Sequence, residues 1–208
     1  MPRRSDTSGD RTRALVAQEA ARLIVDQGIR DYGIAKKKAA EKLNLATRGA
    51  LPGNHEIEQA VADHLSLFAG DDHLEILYSL RRTALIAMQM LEEFTPRLVG
   101  PVLSGTADDN SAVNMHLFSD SPERVAFHLG DRQINFRNYE RRLKTRRNVV
   151  EIYPGYEFRH EYNIVQATVF PYDGLRQAPI SPIDGRPMKR ADLSAVQVLM
   201  EEMPAGAG

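Results

Sequence analysis

The residues best placed for chemistry lie between Ser104 and Phe118. Ser104-Gly105-Thr106-Ala107 is a small-residue turn, Asp108-Asp109-Asn110 an acidic loop, and Ser111 to Phe118 an alternating segment carrying Asn114 and His116. Alternate strand residues project from one face, so Asn114 and His116 share a side. A glycine turn ahead of them can turn backbone N–H groups toward phosphate oxygens. Hard divalent cations take oxygen ligands, carboxylates above all. The nearest acids are Asp108 and Asp109 on the loop before the strand, candidate metal ligands. His116, like His128 and His160 further on, offers a general base or a metal ligand, although no HExxH or triad spacing accompanies it.

The chain must position these groups with two kinds of element. From Arg11 to Phe94 the pattern is helical. Leu15, Ala20, Leu23 and Ile24 recur near 3.6-residue spacing up to a Gly28 stop, and Ala35, Ala39 and Leu43 share a face of Ile34 to Leu43. Asn54 reads as the N-cap of a helix bearing Ile57, Val61, Leu65 and Phe68, and Leu74 to Leu91 forms a further apolar stripe. After Pro96 strands and turns take over. The expected elements are a strand over Leu98 to Leu103, a second over Ala112 to Phe118, a helix over Pro122 to Leu129, and a strand over Val149 to Tyr153. Pro154-Gly155 reads as a turn, Tyr156 to Tyr172 as one long strand, 177–187 as a loop tying the end of the chain to the sheet, and Arg190 to Glu202 as a closing helix. The reading is an α+β chain: a helical region at 11–93, a small mixed β-sheet with flanking helices at 94–203, and flexible tails at 1–10 and 204–208.

Composition narrows the classes. In 208 residues, 27 basic and 28 acidic side chains leave a net charge of -1, so any affinity for nucleic acid must come from local clustering. Without cysteine there is no disulfide, thiolate metal site or cysteine nucleophile. No apolar run reaches the ~20 residues that span a bilayer, which leads to the expectation of a cytoplasmic protein with no membrane partner. A homo-oligomer stays open.

The turn, the strand and the helix start after it resemble the nucleotidyltransferase superfamily of the DNA polymerase beta type. In that family two carboxylates one residue apart hold two Mg2+ ions that orient a triphosphate. The corresponding positions here are Ala112 and Asn114, and the third carboxylate falls near Gln166, so all three charges are missing. The resemblance implies a nucleotide or nucleic acid held at Ser104, Gly105 and Thr106, with Arg141 and Arg142 as phosphate contacts. It implies catalysis that is weak, altered or lost, with Asn114, His116 and Gln166 as residual catalytic candidates and Mg2+ only where the site stays active.

Two basic stretches offer other readings. Arg137 to Arg147 holds six cations around Tyr139 and Glu140; at helical spacing Arg137, Arg141 and Lys144 would form a positive stripe. The stretch is either a phosphate contact or a solvated face. The helix IAKKKAAEKL resembles the second helix of a helix-turn-helix repressor, preceded by Gly28 to Tyr32, which resembles the first-helix ending of tetracycline-repressor-type regulators. That gives an alternative function, a non-enzymatic DNA-binding regulator acting through Lys36, Lys37, Lys38 and Lys42. A scaffold that keeps a fold without its chemistry is the third.

Overall fold

The structure is a computed structural model that describes residues 6–29, 31–45, 51–68, 70–146 and 149–203. The expected tail at 204–208 and the first five residues lie outside the described residues. The chain divides into two compact units, residues 1–70 and 71–208.

The first unit is three helices, α1 (Asp6–Gln27), α2 (Tyr32–Lys42) and α3 (Asn54–Phe68). Helix α1 therefore starts five residues ahead of the expected Arg11. It ends where Gly28 takes a φ of 66°, a left-handed conformation that glycine adopts without penalty. Asp31 caps α2, its Oδ1 accepting the Ile34 N–H at 2.9 Å. Asn54 is the first residue of α3, and the Gly53 N–H in front of it is taken by Glu56 Oε2 at 2.7 Å. Ala17, Ala20 and Ala21 of α1 and Ala35, Ala39 and Ala40 of α2 are buried together with Ile57 and Val61 of α3. Side chains this small let helix backbones approach closely.

The second unit is built on a five-stranded mixed sheet. Helix α4 (Gly70–Met90) is followed by β1 (Arg97–Val99), the four-residue α5 (Pro101–Ser104), β2 (Val113–Phe118) and α6 (Glu123–Asp131). Then come β3 (Phe136–Arg146), β4 (Val149–His160), β5 (Asn163–Phe170) and α7 (Leu193–Glu201). The strand order is β1-β2-β5-β4-β3, and only β2 and β5 run parallel. One face is the core: Val113, Met115 and Leu117 of β2 and Val165, Ala167 and Val169 of β5 are buried with Leu80, Ala84, Ala87 and Met88 of α4 and Val125 and Leu129 of α6. Helix α4 thus shares its core with the sheet, and the boundary between compact units falls near Gly70 rather than at Phe94. The change from helical to strand pattern at Pro96 is a change of element inside one unit.

Five expected elements differ. The run Leu98 to Leu103 is not one strand, because Gly100 adopts φ 75° and ψ -155°, a region open essentially to glycine, and Pro101 then opens α5. The basic stretch is strand β3, not a helix. Val149 through His160 is continuous, so Pro154-Gly155 lies inside β4 rather than in a turn. Tyr156 to Tyr172 is broken by a reversal at Glu161, which takes φ 52°, between β4 and β5. Arg190 lies ahead of the last helix, which starts at its cap Asp192; there Ala191 pairs with Leu98 on the outer side of β1. The loop at 177–187 touches the free edge of β3, where the Ile180 N–H donates to the Lys144 carbonyl at 2.6 Å.

Candidate functional site

Register decides which side chains meet. On the face of the sheet opposite the core, Asn114 is the cross-strand neighbour of Gln166, Gln166 of Glu157, and Glu157 of Arg137. The next row holds Arg97, His116, Thr168, Gly155 and Tyr139; beyond it Phe118 pairs with Phe170 and Tyr153 with Arg141, the Tyr153 and Phe170 rings lying 4.3 Å apart. This face is polar and half-buried around Asn114, Gln166, Glu157 and Arg141, while toward the ends of β2 and β5 it is covered, with His116, Thr168, Phe118 and Phe170 buried.

Strand β3 reaches back across β4 because Gly155 leaves room. A Cβ on Gly155 would come within 2.7 Å of Tyr139 Cε1 and Oη, and closer still to Cζ. The Tyr139 hydroxyl is 2.8 Å from Thr168 Oγ1 on β5. Arg141, two residues on, carries its guanidinium to β2 and β5. Its Nη1 donates to Asn114 Oδ1 at 2.6 Å and, more weakly, to Gln166 Oε1 at 3.4 Å. Gln166 Nε2 donates to Glu157 Oε2 at 2.9 Å, Arg137 pairs with Glu157 Oε1 at 2.7 Å, and Asn114 Nδ2 donates to the Ala112 carbonyl at 3.1 Å. The polarity of each amide is fixed by these partners. Arg137 holds the Glu157 carboxyl below the usual range, so this acid is ionised and already paired.

The chemistry of the corner follows. Asn114 and Gln166 come together as the resemblance implies, but the cation between their oxygens is Arg141. Amide oxygens have no charge, so the guanidinium is solvated without being neutralised. A divalent ion entering here would have to displace it from Asn114 Oδ1, and the nearest carboxylate, Glu157, is already taken by Arg137 and Gln166. Ala112 offers only its backbone carbonyl, to Asn114.

The remaining expected residues sit elsewhere. Asp108 and Asp109 are exposed and turned onto their own loop. Asp108 Oδ1 accepts from Ser111 Oγ at 2.7 Å and from the Asn110 N–H at 3.1 Å, and Asp109 accepts from Asn110 Nδ2 at 2.8 Å. No cluster of three or more acids or histidines able to hold a metal occurs among the described residues. In the Ser104–Thr106 turn the backbone N–H groups are committed: Ser104 to Gly100, and Gly105 and Thr106 to Pro101. The Ser104 and Thr106 hydroxyls are 3.0 Å apart and bonded to each other. Buried His73 of α4 bonds the Gly105 backbone. This turn has a structural use, and its N–H groups do not face open space. Arg142 is exposed on the opposite face from Arg141, since strand residues alternate.

His116 is 2% exposed and stacked on Phe170. Its Nδ1 accepts from Arg190 Nε at 3.0 Å, which places the ring proton on Nε2. Burial, with the charges of Arg190 and Arg141, pushes its pKa well below the ordinary histidine value. A ring so enclosed is a permanent neutral acceptor rather than a general base in contact with solvent. His128 bridges Glu93 and the Met90 carbonyl, a structural link between α6 and the end of α4.

In the first unit, Lys36 Nζ donates to Asn54 Oδ1 at 3.2 Å and Lys42 pairs with Glu19 at 2.8 Å, while Lys37 and Lys38 are exposed. Arg97 had no part in the sequence reading, and Arg190, Tyr139 and Gly155 entered it only as parts of an expected helix, basic stretch and turn, with no role at a site. The one signal for Arg141 and Tyr139 was the two-residue alternation of Arg137, Tyr139, Arg141 and Leu143, which marks a strand.

No family model matches the chain, and no curated protein and no solved structure matches it. No helix among the described residues is long and apolar enough to cross a membrane.

Proposed function

We propose that the polar corner of the sheet around Asn114 and Gln166 binds a nucleotide through its phosphates, with Arg141 as the resident cation in place of metal ions. The carrying observation is that Arg141 lies 2.6 Å from Asn114 and 3.4 Å from Gln166, two neutral amides on adjacent parallel strands. The reading is of a nucleotidyltransferase-like fold in which two of the three acid positions carry amides, the third is Ala112, and a guanidinium stands where the metal charge would be. Such a corner attracts oxyanions without Mg2+, and it lacks the carboxylates that two-metal phosphoryl transfer needs. We therefore read the protein as a nucleotide-binding module with little or no two-metal catalysis.

The DNA-regulator reading has less support, because Lys36 and Lys42 are engaged within the first unit. Calorimetric titration of nucleoside triphosphates into wild type and Arg141→Ala tests the proposal. Loss of a charge-assisted contact predicts about tenfold or more weaker binding in the variant. Equal binding by both proteins would remove Arg141 from the site.

A further inference from the structure

A second group of cations lies on the same face, one row from Asn114. Arg97 on β1 is the cross-strand neighbour of His116, on the same side of the sheet. Arg190 approaches His116 from the 190–191 segment that pairs with the outer side of β1. Its guanidinium is fixed by two bonds, Nε to His116 Nδ1 at 3.0 Å and Nη1 to the Gly174 carbonyl at 2.7 Å, and it rests on the rings of Phe118 and Phe170. The third nitrogen, Nη2, is buried and has no hydrogen-bond partner. Arg97 donates to the carbonyl of Pro96. Among the described residues no carboxylate is paired with Arg97 or with Arg190.

Arg97 and Arg190 both neighbour His116, and two like charges near each other with no ion-paired acid repel. Burial and the neighbouring Arg97 charge lower the Arg190 pKa to about 10. The aromatic faces of Phe118 and Phe170 offset part of that cost but satisfy no N–H. A buried donor without an acceptor is uncommon in folded proteins and calls for one. His116 cannot supply a charge, being neutral, and acts as the strut that aims Arg190.

We propose that Arg97 and Arg190, aligned by His116, form a seat for a second oxyanion, a phosphate or carboxylate group, distinct from the Arg141 corner. The seat supplies two cations and at least one uncommitted N–H, and among the described residues no carboxylate is ion-paired with either cation. The oxyanion can be a free ion or part of the ligand held at Arg141; only the second case rests on the nucleotide reading.

The test uses inorganic phosphate titrated into the full chain in EDTA, followed by calorimetry and by the His116 ring resonances. The expected result is saturable binding that shifts those resonances and weakens about tenfold or more in Arg97→Ala and in Arg190→Lys. Arg142→Ala, on the opposite face, stays within about twofold. Arg97→Ala keeps the test usable if Arg190→Lys loses its fold, since Arg97 has no part in the His116 or Phe stacking. Displacement of phosphate by a nucleotide assigns the seat to the same ligand, simultaneous binding assigns it to a second one, and both support the seat. Phosphate binding with no nucleotide binding would sink the proposed function and leave the seat standing. Absence of saturable phosphate binding, or indifference to Arg97→Ala, would overturn the inference.

Discussion

The ring of Tyr139 occupies the place that a side chain at Gly155 would take, and from there its hydroxyl reaches Thr168 Oγ1 at 2.8 Å. This pairing of a large residue with none lets β3 lean over β4 and carries Arg141 to Asn114. Gly155→Ala should force the ring out. The expected cost is about 1–3 kcal/mol in urea denaturation, typical of overpacking, with weaker nucleotide binding alongside. Tyr139→Ala should remove the clash, so the double variant should cost clearly less than the sum of the single ones. Strict additivity would show that the two residues do not depend on each other.

Asn114→Asp places a carboxylate against Arg141. The new ion pair neutralises the guanidinium, so nucleotide affinity in EDTA should fall about tenfold while thermal stability is kept or raised. Tighter, Mg2+-dependent binding by this variant would instead mean that metal can displace Arg141.

His116 titrates far below its ordinary value in the folded protein and near the ordinary value when unfolded. The unfolded state therefore takes up a proton as pH falls through about 6.5 while the folded state does not. Stability of the second unit is full above that pH and declines toward pH 5. The His116 ring resonances should not titrate between pH 8 and 5.5, and His116→Gln should flatten the stability profile over that window. A normal titration curve would contradict the enclosed geometry.

In the first unit, Arg22 and Lys42 hold the Glu19 carboxyl at about 2, below its ordinary value of 4.5. A lowered carboxyl stabilises the fold above the ordinary value and loses that contribution as pH falls toward about 2. Both cationic partners are substantially exposed, so the screened contribution is about 1 kcal/mol. Glu19→Gln should cost that amount at pH 7 and almost nothing at pH 2, read by circular dichroism in denaturant.

The sequence carried the α+β division and the placement of most helices, because caps and apolar stripes are local. Gly28 and Pro122 act within a turn of where they stand, whereas the Asp31 cap was not read and Asn54, read as a cap, is the first residue of α3. The strand-rich half was harder for a physical reason. Arg137, Arg141 and Lys144 satisfy a helical spacing, while Arg137, Tyr139 and Arg141 equally satisfy a strand, and a charged edge strand has no apolar alternation to decide between them. Asn114 and Gln166 were legible as a pair only through a family pattern. Arg141, Arg97, Arg190 and Gly155 join them through register across 94 residues of chain, from Arg97 to Arg190, and register is set by tertiary pairing rather than by neighbours in sequence.

The most direct measurement is the affinity of a nucleoside triphosphate for the wild-type chain, in excess EDTA and again in excess Mg2+. The account predicts saturable binding in EDTA, no tighter with Mg2+, since the cation of the site is Arg141. Binding that appears only with Mg2+, or no binding under either condition, would contradict it.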